Sequence, residues 1–337
     1  MLARPLSVAA VYDRRSARTA VIDRRYSMRT IRALLVLFTA LIFPFDLAAL
    51  DSEPAPLAAK SLLLDIARAG PRLIAVGDRG HVLLSDDEGR NWRQIIVPTR
   101  AMLTGVSFGD AQHGWAVGHD GVILATTDGG ATWTHQDSGK DLETIYLDVF
   151  FSDAQHGLAV GAYGKCILTT DGGRTWQPAA PIPDEVHLNQ ITPGWNGQVF
   201  VAGEAGTLLV SSDARKGWTK CPVPYEGSLF GVLPTGEHML LVYGLRGHVF
   251  SSSDDGKGWN QQETTAPVLI MAGLRLRSGP IVLAGTGGNF FVSGDLGQTF
   301  LNRKPSDYKG GVSALIETTD GMVLVVGELG ACLLTPP

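Results

Sequence analysis

Trp115-Ala116-Val117-Gly118-His119-Asp120-Gly121-Val122-Ile123-Leu124 is one copy of a pattern that recurs along the whole chain. An apolar run enters Gly-x-x-Gly, and a second apolar run leaves it. The other copies span Ile74 to Leu84, Leu158 to Leu168, Phe200 to Leu209, Leu240 to Phe250, Val282 to Phe291 and Val323 to Leu333. The leading glycines are Gly77, Gly118, Gly161, Gly203, Gly244, Gly285 and Gly327, at spacings of 41, 43, 42, 41, 41 and 42. A second marker keeps the same period: Trp92, Trp133, Trp176, Trp218, Trp259 and Phe300. Self-similarity at this period is the signature of a repeat architecture.

Within one period lie four short apolar runs. In repeat two they are Leu103–Phe108, Gly114–Val117, Val122–Thr126 and Thr132–His135. Runs of this length, rich in Val, Ile, Leu and Thr and broken by Gly and Asp, read as strands. Helical periodicity is absent. Four strands per repeat make a propeller blade. The expected fold is all-β, a seven-bladed propeller over 51–337. The last repeat has only three runs before Pro336-Pro337. An amino-terminal strand from 53–60, with Pro54 and Pro56 on an outer edge, is expected to complete it and lock the ring.

Between the third and fourth runs sits Ser/Thr-x-Asp-x-Gly-x-Thr-Trp. Asp87, Asp128, Asp171, Asp254 and Asp295 each occupy the third place of this box, and the aromatic the eighth. Repeat four keeps Asp213 and Trp218 but has Arg215 where the others have Gly. An Asp that accepts bonds from nearby backbone N–H groups fixes a turn. The Gly permits positive φ, and the Trp offers an apolar plate with one N–H. The boxes are therefore expected to be structural.

This is the Asp-box, or bacterial-neuraminidase, repeat. Phe108-Gly109-Asp110-Ala111-Gln112-His113-Gly114-Trp115-Ala116-Val117-Gly118 and its copy from Phe151 to Gly161 narrow the match, as does Thr-Thr-Asp-Gly-Gly-x-Thr-Trp at 126–133 and 169–176. Over residues 60–335 the chain resembles the photosystem II stability and assembly factor family. The resemblance implies an exported seven-bladed propeller that helps to assemble a membrane protein complex.

The chain has 337 residues, 45% hydrophobic and 18% charged, with 41 Gly and a formal net charge of −5. Its first fifty residues hold eight Arg, no Lys and three Asp, so the remainder is markedly acidic. Such a surface disfavours nucleic acid, which needs clustered cations. Arg24, Arg25, Arg29 and Arg32 precede an apolar run at 33–43, and Leu47-Ala48-Ala49 follows. Residues 1–50 thus read as a basic extension with a signal peptide or signal anchor, and Met28 as an alternative start. The expected location is periplasmic or lumenal. Cys166, Cys221 and Cys332 form no motif and read as small strand residues.

No catalytic constellation emerges. Sialidases share the box, but they need an arginine triad and a Tyr–Glu pair, and Ala180-Pro181-Ile182-Pro183 lacks the arginine of their amino-terminal motif. His113 and His156 repeat at one turn position, as do His81 and His248, which reads as structure and not ligation. Neither metal nor cofactor is expected. Binding remains, with a carbohydrate-binding propeller as the alternative. The Gly-x-x-Gly turns and the blade-to-blade connections should share one face. The candidate partner surface there is Asp78, Arg79, His119, Asp120, Tyr163, Glu204, Arg246 and Glu328, with Tyr225 and Tyr308 from the connections. The expected partner is a membrane or envelope protein complex, a transporter or a photosystem-type assembly, bound by a monomer.

Overall fold

The computed structural model describes residues 50–136, 142–182 and 185–337. The expected export segment, apart from Leu50, lies outside the described residues. The chain forms seven antiparallel sheets; six have four strands in sequence order and the seventh has three. Blade two comprises Leu103–Phe108, Gly114–Gly118, Ile123–Thr126 and Thr134–His135, within two residues of the boundaries expected at each end. The first strands of successive sheets lie side by side, and that of blade seven, Val312–Glu317, lies beside that of blade one, Leu63–Ala69. The circle is closed.

Strand alternation explains why the sheets stack. Successive side chains point to opposite faces, so one strand feeds two junctions. In blade one, Ile74 and Val76 pack with Leu103, Val106 and Trp133 of blade two. Their neighbours Leu73 and Ala75 pack with Leu324 and Val326 of blade seven. All seven junctions carry such a cluster. Each fully buried Val, Leu or Ile is worth about 1.5–3 kcal/mol relative to exposure, so each blade draws stability from both neighbours.

The junction of blades one and seven departs from the expected strand exchange. Residues 53–60 do not pair with the last sheet, whose outer strand is Gly330–Leu334. Pro54 and Pro56 lack N–H donors, and the neighbouring groups turn toward blade one. Ser52 N–H donates to the Val97 carbonyl at 2.8 Å, and Ala55 N–H to Gln94 Oε1 at 2.7 Å. The chain then makes a 3-10 turn, Ala58–Lys60, and Ala58 and Ala59 pack on Ala331 and Leu333. Side chains complete the seam. Arg68 donates to both oxygens of Glu88 at 2.8 and 2.9 Å and to the Glu317 carbonyl at 3.2 Å; Glu88 also accepts the Thr319 N–H at 3.0 Å.

Candidate functional site

The Gly-x-x-Gly turns are built by the backbone. In blades one to six the leading Gly donates its N–H to the carbonyl four residues on, as Gly118 does to Val122 at 3.1 Å. In all seven blades the next residue donates back to the connection entering its own blade. Asp78 reaches the Leu62 carbonyl, His119 Met102, Glu204 His187, and Glu328 Gly311, at 2.9–3.1 Å. The closing Gly then donates to the connection leaving the blade: Gly121 to Thr144, Gly164 to Val186 and Gly206 to Gly227, each at 2.8 Å. At Gly80 a Cβ would stand 2.2 Å from the Thr99 carbonyl oxygen, so glycine alone fits. In blades two, three, four and six the turn is thus stapled on both sides, and in the others by the entering connection.

The second variable residue of each turn is exposed. In five blades it is a non-glycine residue in the left-handed region: Arg79 (φ 54), Asp120 (57), Tyr163 (54), Ala205 (52) and Arg246 (58). That conformation disfavours a Cβ. The staples hold it, and the side chain stands away from the ring. The Arg79 side chain is 82% exposed and Tyr163 73%.

Not all the expected surface residues are free. Glu204 accepts the His187 N–H at 3.1 Å and Glu328 the Gly311 N–H at 2.7 Å, so both carboxylates brace connections. Tyr308 is only 1% exposed; its hydroxyl donates to the Gly311 carbonyl at 3.0 Å, and burial pushes its pKa up to about 12. It belongs to the core between blades six and seven, not to the surface. Tyr225 is half-buried, stacks near His248 at 4.7 Å and donates to the Leu245 carbonyl. With Pro224, Glu226 and Arg246 it lines a shallow groove of about 760 Å³. His119 is half-buried, and Asp78 lies 3.5 Å from Arg79. Leu329, the second variable residue of the seventh turn, is 52% exposed on the same face.

The boxes occupy the opposite edge of the blades. In box two, Thr126 Oγ1 donates to Asp128 at 2.8 Å and accepts the Gly130 N–H at 3.0 Å. Asp128 accepts the N–H and hydroxyl of Thr132, and Trp133 Nε1 donates to the Gly130 carbonyl at 3.1 Å. Boxes one, three, five and six repeat the carboxylate pattern. Bonds from Asn91, Thr175 and Thr299 hold Asp87, Asp171 and Asp295 at about 2. Each carboxylate is satisfied within its own turn. The Trp N–H finds its carbonyl in boxes one, two and five but is buried without a partner at Trp176 and Trp218. Asp87, Asp128, Asp171, Asp254 and Asp295 each accept an N–H from their own turn, whereas Asp213 pairs with Arg215 at 2.9 Å. Phe300 is buried between blades five and six.

A second polar set lies on the inner strands. Asp65, Asp148 and Gln190 stand two residues into equivalent strands, and each accepts an N–H of a following blade: Val106 at 2.8 Å, Ile191 at 2.7 Å and Val232 at 3.1 Å. Burial raises Asp65 to about 7; burial and then the Asp65 charge raise Asp148 well above the usual carboxylate range.

The sequence profile described as Photosynthesis system II assembly factor YCF48 matches residues 84–144 and 139–326. A photosystem II stability/assembly factor HCF136 of Cyanidioschyzon merolae is 45% identical over 47 residues, 13% of this chain and 11% of that protein. The photosystem II assembly protein Ycf48 of Thermosynechococcus vestitus is 45% identical over 42 residues, 12% of each chain. The chain thus aligns with about a tenth of the length of these curated relatives. Among solved structures, YCF48 bound to D1 peptide superposes with a TM-score of 0.69 at 18% identity, covering 82% of this chain and 93% of that one. YCF48 from Cyanidioschyzon merolae gives 0.67 at 18% identity, covering 85% and 98%. These likenesses carry the seven-bladed fold.

Proposed function

The chain belongs to the photosystem II assembly factor YCF48 family, and from that membership we propose that it is a non-catalytic accessory factor for assembly of a membrane protein complex. The observation that supports this most is the stapled ring of turns. A rigid ring whose variable residues are held outward is suited to recognition, because little ordering remains to be paid on binding. Arg79, Arg246 and Tyr163 are the residue types that anchor interfaces, and Asp120 and the Tyr225 groove complete the surface. In this reading the protein is exported, works as a monomer and meets its partner on the periplasmic or lumenal side, as the basic and apolar segment before residue 50 implies.

Tagged wild-type protein should capture a membrane complex from the native envelope, and Arg79→Glu with Arg246→Glu should lose it while melting as wild type does. Undiminished capture by the double variant would remove this face from the account. Hydrolysis of a sialoside by the purified protein would overturn the non-catalytic reading.

A further inference from the structure

We infer that blade seven carries a second interaction surface, a strand place that takes an extended segment of the partner protein as its fourth, antiparallel strand. The inference rests on the proposed function only for the source of that strand. In blades one to six a fourth strand covers the third. Blade one pairs Val82 with Ile95, Leu83 with Gln94 and Leu84 with Arg93. Among the described residues no strand holds that place in blade seven, where Gly330–Leu334 is outermost.

Burial and composition both mark Gly330–Leu334 as a strand made to be covered. In each of blades one to six at most one residue of the third strand falls short of full burial. In blade seven Ala331, Cys332 and Leu333 are all half-buried. Sheet edges are commonly guarded by charge or proline, and the outermost strands of the other blades carry Arg93, His135, Pro178, Lys220 and Arg303. Gly-Ala-Cys-Leu-Leu has no such guard. Thr335, eight residues after Gly327, stands where the other blades begin the box that leads into a fourth strand.

The place has definite bounds. A Cβ on Gly330 would stand 2.1 Å from the Ala59 carbonyl oxygen, as one on Gly80 would from Thr99, so the upper end is closed as in blade one. Ala55, Ala58 and Ala59 fill the side toward blade one, and the chain before them turns away to Gln94 and Val97. On the other side Cys332 borders Leu276, Tyr308 and Leu334. An incoming strand pairs opposite Ala331–Leu334 and lays alternate apolar side chains toward blade six.

Depth selects the occupant. The fourth strands of blades one and six, Arg93–Ile95 and Leu301–Arg303, flank the edge one strand spacing, about 4.8 Å, further out. A single extended chain enters between them. A second copy of the propeller does not, because its own edge is recessed in the same way and the neighbouring rims meet first. The edge begins one residue after the exposed Leu329 of the seventh turn. A segment of a partner seated on the turn face therefore reaches it without a break.

Fluorescence anisotropy and hydrogen exchange with labelled acetyl-Lys-Thr-Val-Thr-Val-Thr-Lys-amide test the place in the intact protein. Saturable binding should slow exchange in Ala331–Leu334 and leave the turns unchanged. N-methylation at one set of alternate peptide residues, those whose amides face the edge, should weaken binding by about tenfold or more. Methylation of the other set should leave affinity within about twofold. Replacing Pro336-Pro337 by a copy of 294–303 supplies a fourth strand in cis and should cost about tenfold or more in peptide affinity. The measurements on the unaltered protein decide the matter if that variant fails to fold. Arg79→Glu with Arg246→Glu should lose the membrane complex yet bind the peptide as wild type does, which separates failure of the turn face from failure of this place. Absence of saturable binding, protection elsewhere than Ala331–Leu334, equal loss from both methylated sets, or a dimer of the protein that the peptide dissociates would each overturn the inference.

Discussion

Asp65 of blade one and Asp148 of blade three converge on the same stretch of blade two. Asp65 Oδ2 accepts the Val106 N–H at 2.8 Å, and Asp148 Oδ1 lies 3.0 Å from the place a Cβ on Gly105 would occupy. The missing side chain of Gly105 lets two carboxyls of different blades approach. Among the described residues neither Asp65 nor Asp148 has an ion-pair partner; both bond to backbone N–H groups.

This pair predicts a pH dependence. Asp65 is raised to about 7 in the folded protein, against an ordinary value near 4 when unfolded. The folded state therefore binds more protons between those values, and its stability falls as pH rises from about 4 to about 7. The box aspartates, held low, act only in more acid solution, where they cost stability as pH falls toward 2. Asp65→Asn should hold its melting temperature across pH 5–8 better than wild type, by roughly 2–5 °C. Calorimetric melts at several pH values check it; parallel curves would refute it.

The boxes predict unequal costs. Asp128→Ala removes the acceptor for Thr126, Thr132 N–H and Thr132 hydroxyl together, and should lower the melting temperature by roughly 2–6 °C. Asp213→Ala acts on a turn already rearranged and should cost clearly less. Thermal melts of the two variants compare them directly.

The seam between blades one and seven predicts a local effect. Arg68→Ala leaves Glu88 with only the Thr319 N–H and takes the Arg68 donor from the Glu317 carbonyl at a half-buried site, a loss of about 1–3 kcal/mol. Arg90→Ala, at the exposed pair with Asp320, should cost under about 1 kcal/mol. Hydrogen exchange should quicken in Val312–Glu317 and Leu63–Ala69 in the first variant only.

The two tyrosines separate surface from core. Tyr308→Phe loses a buried hydroxyl bond and should melt lower by about 1 kcal/mol while capturing partner normally. Tyr163→Ala should melt as wild type does but capture less. Paired melts and pull-downs read both, and the opposite pattern would exchange their roles.

The turns were legible because glycine marks a backbone requirement, and the same glycine recurs wherever the staple recurs. The broken box was legible for the same reason, through Arg215. Residues 53–60 misled because proline tolerance at an edge says nothing about which edge the other groups seek. Tyr308 misled because a connection has no period to tell inward from outward. Asp65 and Asp148 passed unseen because one acid per apolar strand looks like a solvent-facing residue until the ring places blades one and three around the same glycine.

Six of the seven junctions join blades linked by an unbroken stretch of main chain, whereas among the described residues the seam holds by packing and side-chain bonds. Among these residues no strand threads back into the last sheet. As the polypeptide emerges from its amino end, blades can accrete one on another in order, and the last step is the docking of two finished surfaces. The same seam is the natural parting line under force or heat, where the disc would spread into an arc before any single sheet came undone.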